Sequence, residues 1–179
     1  MKTLIASGIA AAALVSAASA DVTYILTNQT FAGIPFNEAY AAGTLAGTLT
    51  GASINVTLNA STYSTTADDL CVYVGPSTWA LDGLLQCGGF SNLYATQRYS
   101  WPNGASDIIG ATSIGTVNFM TGIDMAANPT QSIWIGNGYV SASGTWSGTI
   151  TLIGVTAVPA PGAVALLGLA SFCSRRRRA

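Results

Sequence analysis

Ile54-Asn55-Val56-Thr57-Leu58-Asn59-Ala60 is the stretch on which the fold reading turns. Apolar side chains at 54, 56 and 58 alternate with polar ones at 55, 57 and 59, and a period of two marks a strand with one buried and one wet face. Working outward, Leu70 to Val74 is a compact β-rich run in which Val72 and Val74 flank Tyr73. Farther on, Gln131 to Ile135 and Tyr139-Val140 bracket Gly136-Asn137-Gly138, whose Asn-Gly pair offers the positive backbone angles of a tight hairpin turn. No segment between residues 21 and 157 carries the 3.6-residue period of a long amphipathic helix; Leu81 to Leu85 could supply one turn.

Two octapeptides reinforce the strand reading. Gly43-Thr44-Leu45-Ala46-Gly47-Thr48-Leu49-Thr50 and Gly144-Thr145-Trp146-Ser147-Gly148-Thr149-Ile150-Thr151 are identical at five of eight positions. In each, threonines line one face while Leu45 and Leu49, or Trp146 and Ile150, line the other. They read as two strands in equivalent half-buried environments, not as a duplicated domain. The expected fold class is all-β: an antiparallel β-sandwich, jelly-roll-like in its long connections. Pro76 to Gly110, rich in Gly, Ser, Asn and aromatic residues, is expected to be a long irregular excursion. The predicted core contains Leu45, Leu49, Ile54, Val56, Leu58, Val72, Val74, Trp146 and Ile150, with Thr48, Asn55, Thr57 and Thr149 facing solvent, since a one-residue slip would reverse both sets.

The two ends of the chain read differently. Lys2, the apolar run Leu4 to Val15 and the A-x-A site Ala18-Ser19-Ala20 have the order of a secretory signal peptide, so residues 1–20 are expected to be removed before Asp21. At the other end, Val158-Pro159-Ala160-Pro161 precedes an apolar run from Gly162 to Ser174 and the cluster Arg175, Arg176, Arg177 and Arg178. An exported chain ending in this way stalls with the apolar helix in the bilayer and the cations on the cytoplasmic side. Val158 to Ser174 is 17 residues, the short end of the roughly 17 to 25 that span a bilayer. Residues 158–179 resemble the PEP-CTERM sorting signal, with Ala160 standing where that motif has its glutamate. The resemblance implies processing by a membrane protease of the exosortase type. It also implies transient residence in the inner membrane and final placement at the cell surface or in extracellular matrix. The expected organisation is therefore a signal peptide (1–20), a β-sandwich domain (21–157) and a sorting signal with a membrane helix and Arg-rich tail (158–179).

Setting those ends aside changes the charge reading. The whole chain carries −1, but Lys2 and the four terminal arginines belong to the ends. Residues 21–157 keep Arg98 as their one cation against Asp21, Glu38, Asp68, Asp69, Asp82, Asp107 and Asp124, a balance of −6. Such a surface repels nucleic acid, whose binding relies on Lys and Arg neutralising phosphates. Cys71 and Cys87 are the two cysteines of this domain, with 15 residues between them. In an exported protein they are expected to form a disulfide, worth about 3 kcal/mol in the chain-entropy model, with two buried free thiols as the alternative.

The chain has no histidine, which excludes Ser-His-Asp and Cys-His catalysis, and the domain has no lysine to act as base or Schiff-base nucleophile. Asp68-Asp69 is the most visible carboxylate pair, but neighbours on a strand point to opposite faces, and the pair reads as a solvated turn before Leu70. The D-x-D-x-D-G spacing of a calcium loop is missing, and no metal, cofactor or catalytic residue is assigned. Trp79 and Trp101 fall in the excursion, where their rings either stack on sugars as glycan contacts or fill the core. Two functions follow: an exported, non-enzymatic surface or matrix protein associated with extracellular polysaccharide, or a secreted carbohydrate-binding or carbohydrate-active domain. Buried rings favour the first; exposed rings beside separated carboxylates favour the second.

Overall fold

The computed structural model describes residues 21–78, 80–89, 95–139 and 142–159. Among them nine strands form two sheets, and apart from a single 3-10 turn at Ala67–Asp69 there is no helix. The strands are β1 (Val22–Phe31), β2 (Asn37–Tyr40), β3 (Leu45–Ser61), β4 (Leu70–Gly75), β5 (Leu85–Cys87), β6 (Gln97–Tyr99), β7 (Thr112–Asp124), β8 (Ser132–Asn137) and β9 (Gly144–Ala157). One sheet has four strands in the order β1-β9-β3-β7, all antiparallel. The other has five in the order β2-β8-β4-β5-β6, antiparallel except for the β5/β6 pair. A single core cluster draws Leu49, Ile54, Leu58, Trp146 and Ile150 from the first sheet and Leu70, Val72, Leu85, Ile133 and Ile135 from the second, so the arrangement is β-sandwich-like.

The period-two reading holds along the long strands. Leu45, Leu49, Ile54, Val56, Leu58, Val72, Val74, Trp146 and Ile150 are all buried, whereas Thr48 and Asn55 are exposed and Thr57 and Thr149 half-buried. The two similar octapeptides lie on β3 and β9, which pair with each other. Their ladder is interrupted between Gly47 and Gly51, where Leu49 keeps its place in the core by means of a bulge. Gly47 (φ +98°) and Gly154 (φ +88°) make that bulge feasible: a Cβ on Gly154 would lie 2.3 Å from the Thr48 carbonyl oxygen.

Three local expectations are corrected. Gly136-Asn137-Gly138 does not form a tight hairpin turn: Gly136 and Asn137 continue β8, paired with Cys71 and Leu70 of β4. Asn137 instead turns the chain toward β9, its buried Nδ2 donating to the Ala142 carbonyl at 3.0 Å and its Oδ1 accepting from the Tyr139 N–H at 2.9 Å. The stretch Leu81 to Leu85 forms no helix: Leu81 and Asp82 make a turn, and Leu85 opens β5. The excursion is more regular than expected, because β5 and β6 extend the five-stranded sheet. It also closes one side of the sandwich. Side-chain amides of Gln97 and Asn103 act as a surrogate strand along β7, with Gln97 Nε2 donating to the Thr121 carbonyl at 3.0 Å and Asn103 Oδ1 accepting from the Ile114 N–H at 2.8 Å.

The pairing also gives the molecule two distinct ends. Val22 lies opposite Leu152 and Leu45 opposite Ala157, so Asp21 and Val158 share one end; Asp21 Oδ1 accepts from the Gly154 N–H at 3.0 Å, and the Val158 N–H donates to the Thr44 carbonyl at 2.8 Å. Ser61 pairs with Gly144 at the opposite end, about 50 Å away at roughly 3.3 Å per residue along β3. Among the described residues no helix is long and apolar enough to cross a membrane. Residues 1–20, expected to be a signal peptide, the expected membrane segment with Arg175 to Arg178, and Trp79 lie outside the described residues.

Candidate functional site

Beyond the β3 terminus, at the end opposite Asp21 and Val158, the loops enclose a cleft of about 550 Å³. Its first wall is the turn from Ser64 to Asp69. Here the Thr66 N–H donates to Asp69 Oδ2 at 2.8 Å, and the Thr66 hydroxyl lies 2.9 Å from that oxygen and 2.6 Å from Asp68 Oδ1. Both carboxylates are thereby fixed by one threonine. The second wall is Gly88-Gly89, just past β5, and the third is Arg98, Ser100 and Trp101, on and after β6. Ala105 and Tyr139 complete the lining.

These loops are tied by backbone hydrogen bonds. Gly89 N–H donates to the Asp68 carbonyl at 3.0 Å, Gly138 N–H to the Asp69 carbonyl at 2.8 Å, Asp68 N–H to the Gly104 carbonyl at 3.2 Å and Gly88 N–H to the Tyr99 carbonyl at 2.9 Å. Gly88 and Gly89 have positive φ angles of 82° and 78°, which glycine adopts without strain. Neither has room for a side chain: a Cβ on Gly88 would lie 2.2 Å from Trp101 Nε1, and one on Gly89 2.7 Å from the Gly138 Cα.

Asp68 and Asp69 do form the expected turn before Leu70, but it is not a solvated one. They sit on a 3-10 turn, not a strand, so consecutive side chains can line one cleft; Asp69 is buried and Asp68 half-buried. Arg98, exposed, is the one Lys or Arg among the described residues, and it lines the same cleft. The sequence announces none of this grouping, because the lining comes from several separate segments whose spacing reflects loop lengths and not chemistry. The one available signal was the solitary cation itself.

Of the two readings the sequence leaves open for Trp101, a glycan contact or a core ring, the structure has the buried one. It is 4 % exposed and its indole N–H donates to the Leu70 carbonyl at 2.7 Å, so it serves as a fixed cleft wall and part of the core. The expected disulfide is also corrected: Cys71 and Cys87 are free and buried. The register explains why. Cys87 lies opposite Val72 and shares its inward face, whereas Cys71, one residue earlier on β4, points to the other face beside Phe36 and Tyr73. Burial raises the pKa of both thiols, and for Cys71 the neighbouring Cys87 and Asp69 raise it further. Among the described residues no group of three or more Cys, Asp or Glu could hold a metal ion.

Val158 and Pro159, the first residues of the Val-Pro-Ala-Pro motif, emerge exposed immediately after β9; Ala160 and Pro161 lie outside the described residues. No protein-family model matches the chain, and searches of curated proteins and solved structures found no match either.

Proposed function

We propose that the chain is an exported, non-enzymatic surface or extracellular-matrix protein whose jelly-roll-like β-sandwich is delivered by an N-terminal signal peptide and a C-terminal PEP-CTERM-like sorting signal. The observation that carries this reading is the coincidence of fold and trafficking boundaries. The first strand starts at Val22, one residue after Asp21, where signal cleavage is expected, and the last strand stops at Ala157, one residue before the Val-Pro-Ala-Pro motif. Both boundaries lie at the same end of the four-stranded sheet. A domain with this layout can fold outside the membrane while either end remains in it, and an exosortase-type protease would meet an exposed motif at Val158 and Pro159. Burial of Trp101 and Trp146 is consistent with rings that build the core.

The sorting steps are separable. Replacing Arg175 to Arg178 with serine is expected to weaken the membrane stop, because the cations oppose translocation. Replacing Pro159 and Pro161 with alanine should leave the protein inserted but unprocessed. Membrane fractionation with C-terminal mass spectrometry reads both outcomes. A soluble exported protein that still carries Arg178, or normal processing without the two prolines, would overturn the sorting reading.

A further inference from the structure

We infer that the cleft opposite the chain termini is a binding site for a neutral, hydroxyl-rich saccharide. The inference rests on the exported-matrix reading for the setting in which such a ligand is met, and on the cleft's own chemistry for its class. A sugar hydroxyl both donates and accepts, and neighbouring hydroxyls need mixed partners. Asp68 accepts, Arg98 donates, and the hydroxyls of Ser64 and Ser100 do both. Hydrogen bonds from hydroxyls to fixed carboxylates are charge-assisted and correspondingly strong.

Charge narrows the class. Two carboxylates face one guanidinium in the cleft, and residues 21–157 carry −6, so a polyanion is repelled both locally and at a distance. Rigidity favours binding as well. The backbone bonds that join the 64–69 turn to residues 89, 104 and 138 set the walls before a ligand arrives, which lowers the ordering cost of association. The volume of about 550 Å³ falls within the roughly 300 to 1,000 Å³ typical of small-molecule sites. The buried Trp101 supplies a wall and no open stacking face, so recognition here works through hydrogen bonds. Finally, the cleft opens at the end of the sandwich away from Val158, so a membrane-held precursor would present it outward.

The test is calorimetric titration of the full chain, solubilised in a non-glycosidic detergent, with cellopentaose, mannopentaose and galactopentaose, and with pentagalacturonate as the anionic probe. At least one neutral pentasaccharide is expected to bind saturably and at least tenfold more tightly than pentagalacturonate. Asp68→Asn and Arg98→Gln should each weaken that binding tenfold or more. Asp68→Asn is isosteric at a half-buried site and Arg98→Gln shortens a side chain that is exposed, and near-UV circular dichroism verifies the fold. Thr149→Ala, on the outer face of the four-stranded sheet, should leave binding unchanged. Absence of neutral-sugar binding, a preference for pentagalacturonate, or binding that survives both cleft substitutions would overturn the inference. Fractionation of the same protein is independent of these titrations, so failure of the sorting reading and failure of the cleft are told apart.

Discussion

The outer faces of the two sheets are used in opposite ways. On the four-stranded sheet, register lines up Thr23, Thr151, Ser53 and Thr116 across all four strands, and the Thr23 and Thr151 hydroxyls meet at 2.9 Å. This face is wet and uncharged along that row. On the five-stranded sheet, β4 is buried on both faces: Leu70, Val72 and Val74 point into the common core, while Cys71 and Tyr73 pack outward with Phe36. Glycines make the space for those rings, since a Cβ on Gly136 would lie 2.2 Å from Phe36 Cδ1 and one on Gly83 2.0 Å from the Tyr73 hydroxyl. A thin sandwich with few charges thus gains a second apolar layer on one side only, and stability should be distributed accordingly.

Truncating the buried outer layer should have the largest effect. Tyr73 is 1 % exposed and its hydroxyl donates to the Ala80 carbonyl. Tyr73→Ala is expected to cost about 3 to 5 kcal/mol, as for other large aromatic truncations in cores. Tyr73→Phe, which keeps the ring and removes the hydroxyl, should cost about 1 kcal/mol. Urea denaturation measures both. A loss below about 1 kcal/mol for Tyr73→Ala would mean that the outer layer is loosely applied and that the two outer faces are energetically alike.

The thiols sharpen the same contrast, because Cys71 belongs to the outer layer and Cys87 to the common core. Burial raises both pKa values, so the native state retains protons that the unfolded chain releases above about pH 8.5. Their contribution is intact below that pH and declines above it, by about 1.4 kcal/mol per pH unit for each thiol. Unfolding free energies measured from pH 7 to 10 should therefore fall at the alkaline end, and the Cys71→Ala/Cys87→Ala protein should show a flatter profile. With Cys173 replaced by alanine, Cys71 and Cys87 should also resist a thiol-specific reagent until the protein is unfolded. A flat profile together with no titratable thiol in urea, measured on the Cys173→Ala protein, would mean that Cys71 and Cys87 are bridged.

How much of this was legible in sequence follows from which faces are wet. Ile54 to Asn59 and Gly144 to Thr151 could be read correctly because solvent on one side forces alternation, and their partners in the core follow from it. Leu70 to Val74 reads only as a β-rich run: with both faces covered, no polar residue marks the register, and the opposite directions of Cys71 and Cys87 were hidden. Asn137-Gly138 carries a turn signature, yet pairing of Gly136 and Asn137 with β4 outweighs that local preference. The cleft was invisible for another reason. Ser64, Asp68, Gly88, Arg98 and Tyr139 meet only because backbone hydrogen bonds gather distant loops, a tertiary outcome without a sequence period.

The smallest effect is expected on the wet face. Thr151→Val retains a β-branched side chain of nearly equal volume, which suits a strand. It removes one partner of the Thr23 to Thr151 hydroxyl contact, but that contact is exposed, and water can satisfy the remaining Thr23 hydroxyl. The loss of the hydrogen bond and the gain in apolar burial are each a fraction of a kilocalorie and oppose one another, so stability should change by no more than about 0.5 kcal/mol. Removing both hydroxyls in the Thr23→Val/Thr151→Val protein should give a coupling of a few tenths of a kcal/mol in a double-mutant cycle. The inward neighbours of Thr151 are Ile150 and Leu152, both buried, so a register slip of one residue would place them in water and could not pass unnoticed. If Thr151→Val alone cost more than about 1.5 kcal/mol, the hydroxyl row would be a cooperative network and not a solvated surface, and the four-stranded sheet would be stabilised from both faces as β4 is.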